Sequence, residues 1–106
     1  MILTNKAKLD FETWLNKEMY YLGRHNFEDR NNNIEDLSDN FQNALIIEWF
    51  DSIGIYVNSS GLTLSKTFIS DVSVDNNCEY NYDGFRTRKE ATEQAIKKAN
   101  DIYNSK

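Results

Sequence analysis

Phe68-Ile69-Ser70-Asp71-Val72-Ser73-Val74-Asp75-Asn76-Asn77-Cys78-Glu79-Tyr80-Asn81-Tyr82-Asp83 is the stretch on which the fold turns. Phe68, Ser70, Val72 and Val74 alternate with Ile69, Asp71, Ser73 and Asp75. Cys78, Tyr80 and Tyr82 alternate in the same way with Glu79, Asn81 and Asp83. A period of two marks strands with one covered and one wet face, so the segment predicts an antiparallel hairpin. The parity of the connection fixes its register. A two-residue turn at Asn76-Asn77 sets Val74 against Glu79 and mixes apolar with acidic on one face. A three-residue loop, Asp75-Asn76-Asn77, pairs Val74 with Cys78 and Val72 with Tyr80, and keeps the buried face apolar. Asn77 then supplies the left-handed residue that such loops need. On this reading the strands run over 66–74 and 78–82, and Cys78 is a small buried hydrophobe.

Upstream, Asn58-Ser59-Ser60-Gly61 reads as a turn and Ile55-Tyr56-Val57 as a β-rich triplet within a strand over 54–58. Ala44-Leu45-Ile46-Ile47-Glu48-Trp49-Phe50 is ambiguous. Phe41, Leu45 and Trp49 fit one helix face, whereas paired Ile and clustered aromatics favour a strand buried on both sides. The strand reading, 43–50, is taken, with Asp51-Ser52-Ile53-Gly54 as its turn into 54–58. Ser38 then caps no more than a short turn over 38–42.

The ends are helical. Thr4 or Asn5 caps a helix over about 4–22, in which Ala7, Phe11, Trp14, Leu15 and Leu22 recur at helical spacing and Gly23 closes the C-terminus. The segment 23–37 reads as a loop, Arg24 to Asn33 being polar apart from Phe27. Thr87-Arg88-Lys89-Glu90 is a capping box opening a helix over 87–104, with Ala91, Ala95, Ile96, Ala99, Ile102 and Tyr103 on one stripe. The expected architecture is α-β-β-β-β-α: a single α+β domain with an antiparallel sheet of three to four strands and both helices on one face.

Composition narrows the function. The 106 residues fit one domain, and one Cys excludes an internal disulfide framework. No apolar run approaches the roughly 18 residues of a membrane helix. Met1 to Lys6 lacks the apolar core of a signal peptide, so the expectation is a cytoplasmic protein without a membrane partner. The 12 Lys and Arg against 17 Asp and Glu give a net charge of −5. The balance is uneven: residues 1–85 carry −8 and residues 86–106 carry +3. Asp71, Asp75, Glu79 and Asp83 share one parity of the hairpin, and Glu28, Asp29, Glu35, Asp36 and Asp39 lie in the neighbouring segment. Asp71, Asp75, Glu79, Asp83, Glu35 and Asp36 are therefore the candidate acidic interaction face, suited to a protein with a basic surface. Tyr56 and Tyr82 are its candidate aromatic contacts, because a hydroxyl tolerates a half-wet position. The bland counterpart is a solvated face kept charged for solubility.

Arg86, Arg88 and Lys89 surround the start of the last helix, where cations oppose the helix dipole. They could hold an anion such as nucleic-acid phosphate; pairing with nearby acids, Asp83 especially, is the structural explanation, and the net charge favours it. Asp75-x-Asn77-x-Glu79 matches the opening of a calcium loop, but Tyr80 stands where Gly is needed and the bidentate Glu is missing. His25 has no second His or Cys beside it in sequence to share a metal, and no Gly-rich phosphate loop is present. No enzyme, metal or cofactor is expected.

Two resemblances bear on origin. Phe50-Asp51-Ser52-Ile53-Gly54-Ile55 together with Thr87-Arg88-Lys89-Glu90-Ala91 and Ala95-Ile96-Lys97-Lys98-Ala99-Asn100-Asp101-Ile102-Tyr103-Asn104 resembles small phage- and prophage-borne proteins of unassigned function. That resemblance implies a cytoplasmic accessory protein, and by analogy an inhibitor of host defence of the anti-CRISPR kind. A minor structural role in a phage particle fits the same origin. The order of elements is also similar to the double-stranded RNA-binding domain, in which basic residues at the start of the final helix straddle major-groove phosphates. That likeness implies RNA contact through Arg86, Arg88 and Lys89, although Glu90 and the acidic surroundings depart from the family's pattern.

Overall fold

In the computed structural model, residues 1–21 and 37–106 are described, with side chains for all of these except 19–21. The expected loop over 23–37 falls almost wholly outside the described residues. With it go Leu22, Gly23, His25, Glu28, Asp29, Glu35 and Asp36.

The elements run α1 (Asn5–Tyr21), α2 (Asp39–Ser52), β1 (Ile55–Leu62), β2 (Thr67–Val74), β3 (Asn77–Phe85) and α3 (Arg88–Asn104). The strands form one antiparallel sheet in the order β1-β2-β3. The α+β class holds, with three strands rather than four.

Residues 43–50 are helix, which corrects the strand expectation and removes the first hairpin. Ser38 is an N-cap whose Oγ accepts the Phe41 N–H at 3.2 Å, but it launches fourteen residues of α2 rather than a short turn. Gln42, Asn43, Leu45, Ile46, Trp49 and Phe50 are buried, a face wide enough to look doubly buried when read as a strand. Packing decides between the readings. The Trp49 ring lies 5.8 Å from that of Phe11 in α1 and 5.1 Å from that of Tyr103 in α3, so α2 is wedged between two helices. Asp51 and Ser52 complete α2, and Gly54, at φ 82, redirects the chain into β1.

The supposed turn at Asn58-Gly61 lies inside β1, and Thr63 to Lys66 connects the strands instead. Asn58, Ser59, Ser60 and Gly61 pair in unbroken register with Asp71, Ser70, Ile69 and Phe68. Ser59 is held beneath α3: its Oγ meets Thr92 Oγ1 at 2.8 Å, and Arg88 Nη1 donates to its carbonyl at 3.1 Å.

The β2–β3 connection also differs. Asp75 and Asn76, at φ 51 and 67, form a two-residue turn with two left-handed residues, so Val74 faces Asn77 rather than Cys78. A register shift between Val72 and Ser73 then restores the expected Val72–Tyr80 pair. The displaced Cys78 faces Ser73 and is exposed, which corrects its assignment to the core. A second shift, between Phe68 and Ser70, accompanies Gly84 at φ 88 and carries β3 on to Phe85.

One face of the sheet is covered. Ile55, Val57 and Val72 join Leu3, Ala7, Phe11 and Leu15, the apolar face of α2, and Ala95, Ile96 and Ala99 of α3 in one core. Thr87 caps α3 through its Oγ1, which accepts the Glu90 N–H at 3.1 Å, as the capping box requires. Small alanines let α3 lie close over β1 and β2. Among the described residues no helix is long and apolar enough to cross a membrane.

Candidate interaction surface

The acidic hairpin residues are distributed by the two irregularities of β3. Asp71 stands in the regular ladder opposite Asn58 on one side and Asn81 on the other, half-buried on the uncovered face. Asn58 Nδ2 donates to Asp71 Oδ1 at 3.2 Å. Asp75 occupies the tight turn, Glu79 the first irregularity and Asp83 the second, and all three are exposed. The strict alternation that would align the four does not survive the two shifts. Their exposure does. The ion pairs between described residues are Lys6–Asp10 at 3.9 Å and Lys89–Asp39 at 3.2 Å, and neither involves a hairpin carboxylate.

Tyr56 and Tyr82 are both exposed but are not brought together. Tyr56 faces Ser73 on the open side of the sheet. Tyr82 faces the fully buried Ser70 and so lies on the helix side, beyond the cover of α3. The helix side of β3 carries a feature that alternation alone hid. Tyr80 and Tyr82 are stacked with centroids 6.2 Å apart, and Phe85 follows at 6.4 Å from Tyr82. Without the shift at Asp83-Gly84, Phe85 would point to the other face. The signal available in the sequence was a glycine inside a strand pattern, which marks such a displacement.

Of the basic candidates, Arg86 is exposed, and the other two are engaged within the fold. Arg88 bonds the Ser59 carbonyl and sits 5.2 Å from the centre of the Phe68 ring. Lys89 pairs with Asp39 rather than with Asp83. The shallow cleft there is lined by Asn40, Asn43, Ala44, Ile47, Arg88, Lys89 and Thr92. Asn43 Nδ2 donates to Glu93 Oε2 at 3.1 Å, joining α2 to α3. No cluster of three His, Cys, Asp or Glu among the described residues is placed to hold a metal ion.

No protein-family model, curated protein or solved structure matches the chain.

Proposed function

We propose that this chain is a non-enzymatic protein-binding module that docks on a basic surface of a partner through the β2–β3 hairpin. The observation that carries this reading is the set of exposed carboxylates Asp75, Glu79 and Asp83 on an outer strand with no ion pair to the described residues. Unneutralised charge on one edge accelerates encounter with an oppositely charged patch and rejects like-charged ones. The two irregularities of β3 also blunt backbone pairing at that edge, so side chains rather than strand addition make the contact.

The origin proposed is a phage or mobile element, on the strength of the Phe50–Ile55 and Thr87–Asn104 segments. The role proposed is occlusion of a partner protein, as an inhibitor of a host defence would act in the cytoplasm of the host. A second reading, duplex-RNA binding, draws on the α2-β1-β2-β3-α3 order and on Arg86. It is weakened by Arg88 and Lys89, whose cationic groups already have partners inside the fold.

Capture from host lysate at low and high salt separates the readings when wild type is run beside Asp75→Asn/Glu79→Gln/Asp83→Asn and Arg86→Glu. Loss of a specific protein partner in the carboxylate variant and at high salt supports docking through the hairpin. Retention of duplex RNA that Arg86→Glu abolishes supports the second reading.

A further inference from the structure

We infer that the partner seats a lysine side chain on Asp71, between Asn58 and Asn81 on the open face of the sheet, an inference that rests on the docking reading above and names the group it recognises. Asn58 faces Asp71 and Asp71 faces Asn81, so one rung of side chains crosses all three strands on the same face. Neighbours on such a rung stand about 4.5–5.5 Å apart at Cβ, and a small group above the central residue reaches both. Asp71 is the one charged residue of β1 and β2, and it lies in the central strand. It is half-buried, and no cation among the described residues pairs with it. A carboxylate partly withdrawn from water is screened less than the exposed Asp75, Glu79 and Asp83, so it holds a cation more firmly. The exposed carboxylates steer the partner, and Asp71 retains it.

A bond already made on the rung selects the cation. Asn58 Nδ2 donates to Asp71 Oδ1 at 3.2 Å, which leaves Asp71 Oδ2 and the Asn58 amide oxygen as acceptors. A guanidinium binds a carboxylate best through both oxygens at once, and here the Asn58 amide already occupies one of them. An ammonium needs only single acceptors, and it carries three donors. Asp71 Oδ2, the Asn58 oxygen and the amide oxygen of Asn81 supply three, and the Asn81 side chain bonds no other described residue.

The test titrates the intact chain by calorimetry with a dodecapeptide of alternating Lys and Ser and with the same peptide carrying Arg for Lys, each at low and high salt. The lysine peptide is expected to bind about threefold tighter than the arginine peptide. Asp71→Asn, which keeps an oxygen for the Asn58 bond, is expected to weaken lysine-peptide binding about tenfold at both salt concentrations. Asn81→Ala, which breaks no bond of the fold, is expected to weaken it about threefold. Asn58→Ala uncovers the second carboxylate oxygen and is expected to turn the preference toward arginine. Wild-type affinity in Asp71→Asn and Asn81→Ala, with loss in Asp75→Asn/Glu79→Gln/Asp83→Asn, overturns the seat on Asp71 and leaves docking by the exposed carboxylates standing. Equal or tighter binding of the arginine peptide by wild type overturns the choice of lysine. No binding of either peptide overturns both the inference and the docking reading.

Discussion

The side-chain oxygen of Asn104, in the last turn of α3, accepts the backbone N–H of Ala7 in the first turn of α1 at 2.8 Å. Asn104 Nδ2 returns a bond to the Thr4 carbonyl at 3.0 Å. One turn earlier, Asn100 accepts the Thr4 N–H at 3.0 Å and donates to Thr4 Oγ1 at 3.1 Å. First-turn amides of a helix have no partner within it, and here the far end of the chain supplies one. The cap that Thr4 or Asn5 was expected to provide locally is therefore made across the tertiary fold. Asn104→Ala is expected to cost about 1–2 kcal/mol in urea unfolding, against less than about 0.5 kcal/mol for the exposed Asn40→Ala.

Tyr103 Oη donates to Asp10 Oδ2 at 2.5 Å, while Lys6 lies over the tyrosine ring at 4.9 Å. The bond to Asp10, then burial, then the charge of Asp10 hold the phenol in its protonated form and push its pKa up from 10.0 to about 12. The folded value exceeds the unfolded one, so the contribution is complete below pH 10 and disappears as pH rises from 10 to 12. Tyr103→Phe should thus be less stable than wild type at neutral pH, by about 1 kcal/mol, and the gap should close across that alkaline window in pH-dependent melts.

Ser70 is fully buried on β2, and its hydroxyl has no hydrogen-bond partner among the described residues. Ser70→Ala should leave stability unchanged or raise it by up to about 1 kcal/mol in the same urea assay, the reverse of the usual core substitution.

The tight turn makes opposite predictions for adjacent residues. Asn76 already adopts φ 67, so Asn76→Gly should be neutral or slightly stabilising. Asn77 is the first residue of β3, and Asn77→Gly should cost about 0.5–1 kcal/mol. The order reverses if Asn77 were the left-handed residue of a three-residue loop.

Local signals sufficed where several of them agreed. Helix α3 was legible because Thr87, Glu90 and the alanine stripe all specify the same helix. The β2 strand was legible from its alternation. Residues 43–50 were misread because their apolar face is broad, and only contact with Phe11 and Tyr103, distant in sequence, selects helix over strand. In β3 the irregularities at Cys78-Glu79 and Asp83-Gly84 broke the alternation on which the acidic face and the burial of Cys78 had been argued. The acidic residues themselves were found by composition and position. The aromatic row was not, because Phe85 joins it only after a one-residue displacement.

Recognition of a partner by the exposed carboxylates of the hairpin is what separates a docking edge from a solvated one. The most direct measurement is the association rate of the captured partner protein with wild type and with Asp75→Asn/Glu79→Gln/Asp83→Asn as salt is raised. Wild type is expected to associate at least about tenfold faster at low salt, with a steep decline that the variant lacks. Equal rates and equal salt dependence for the two proteins would contradict it, and would leave the hairpin edge a solvated surface.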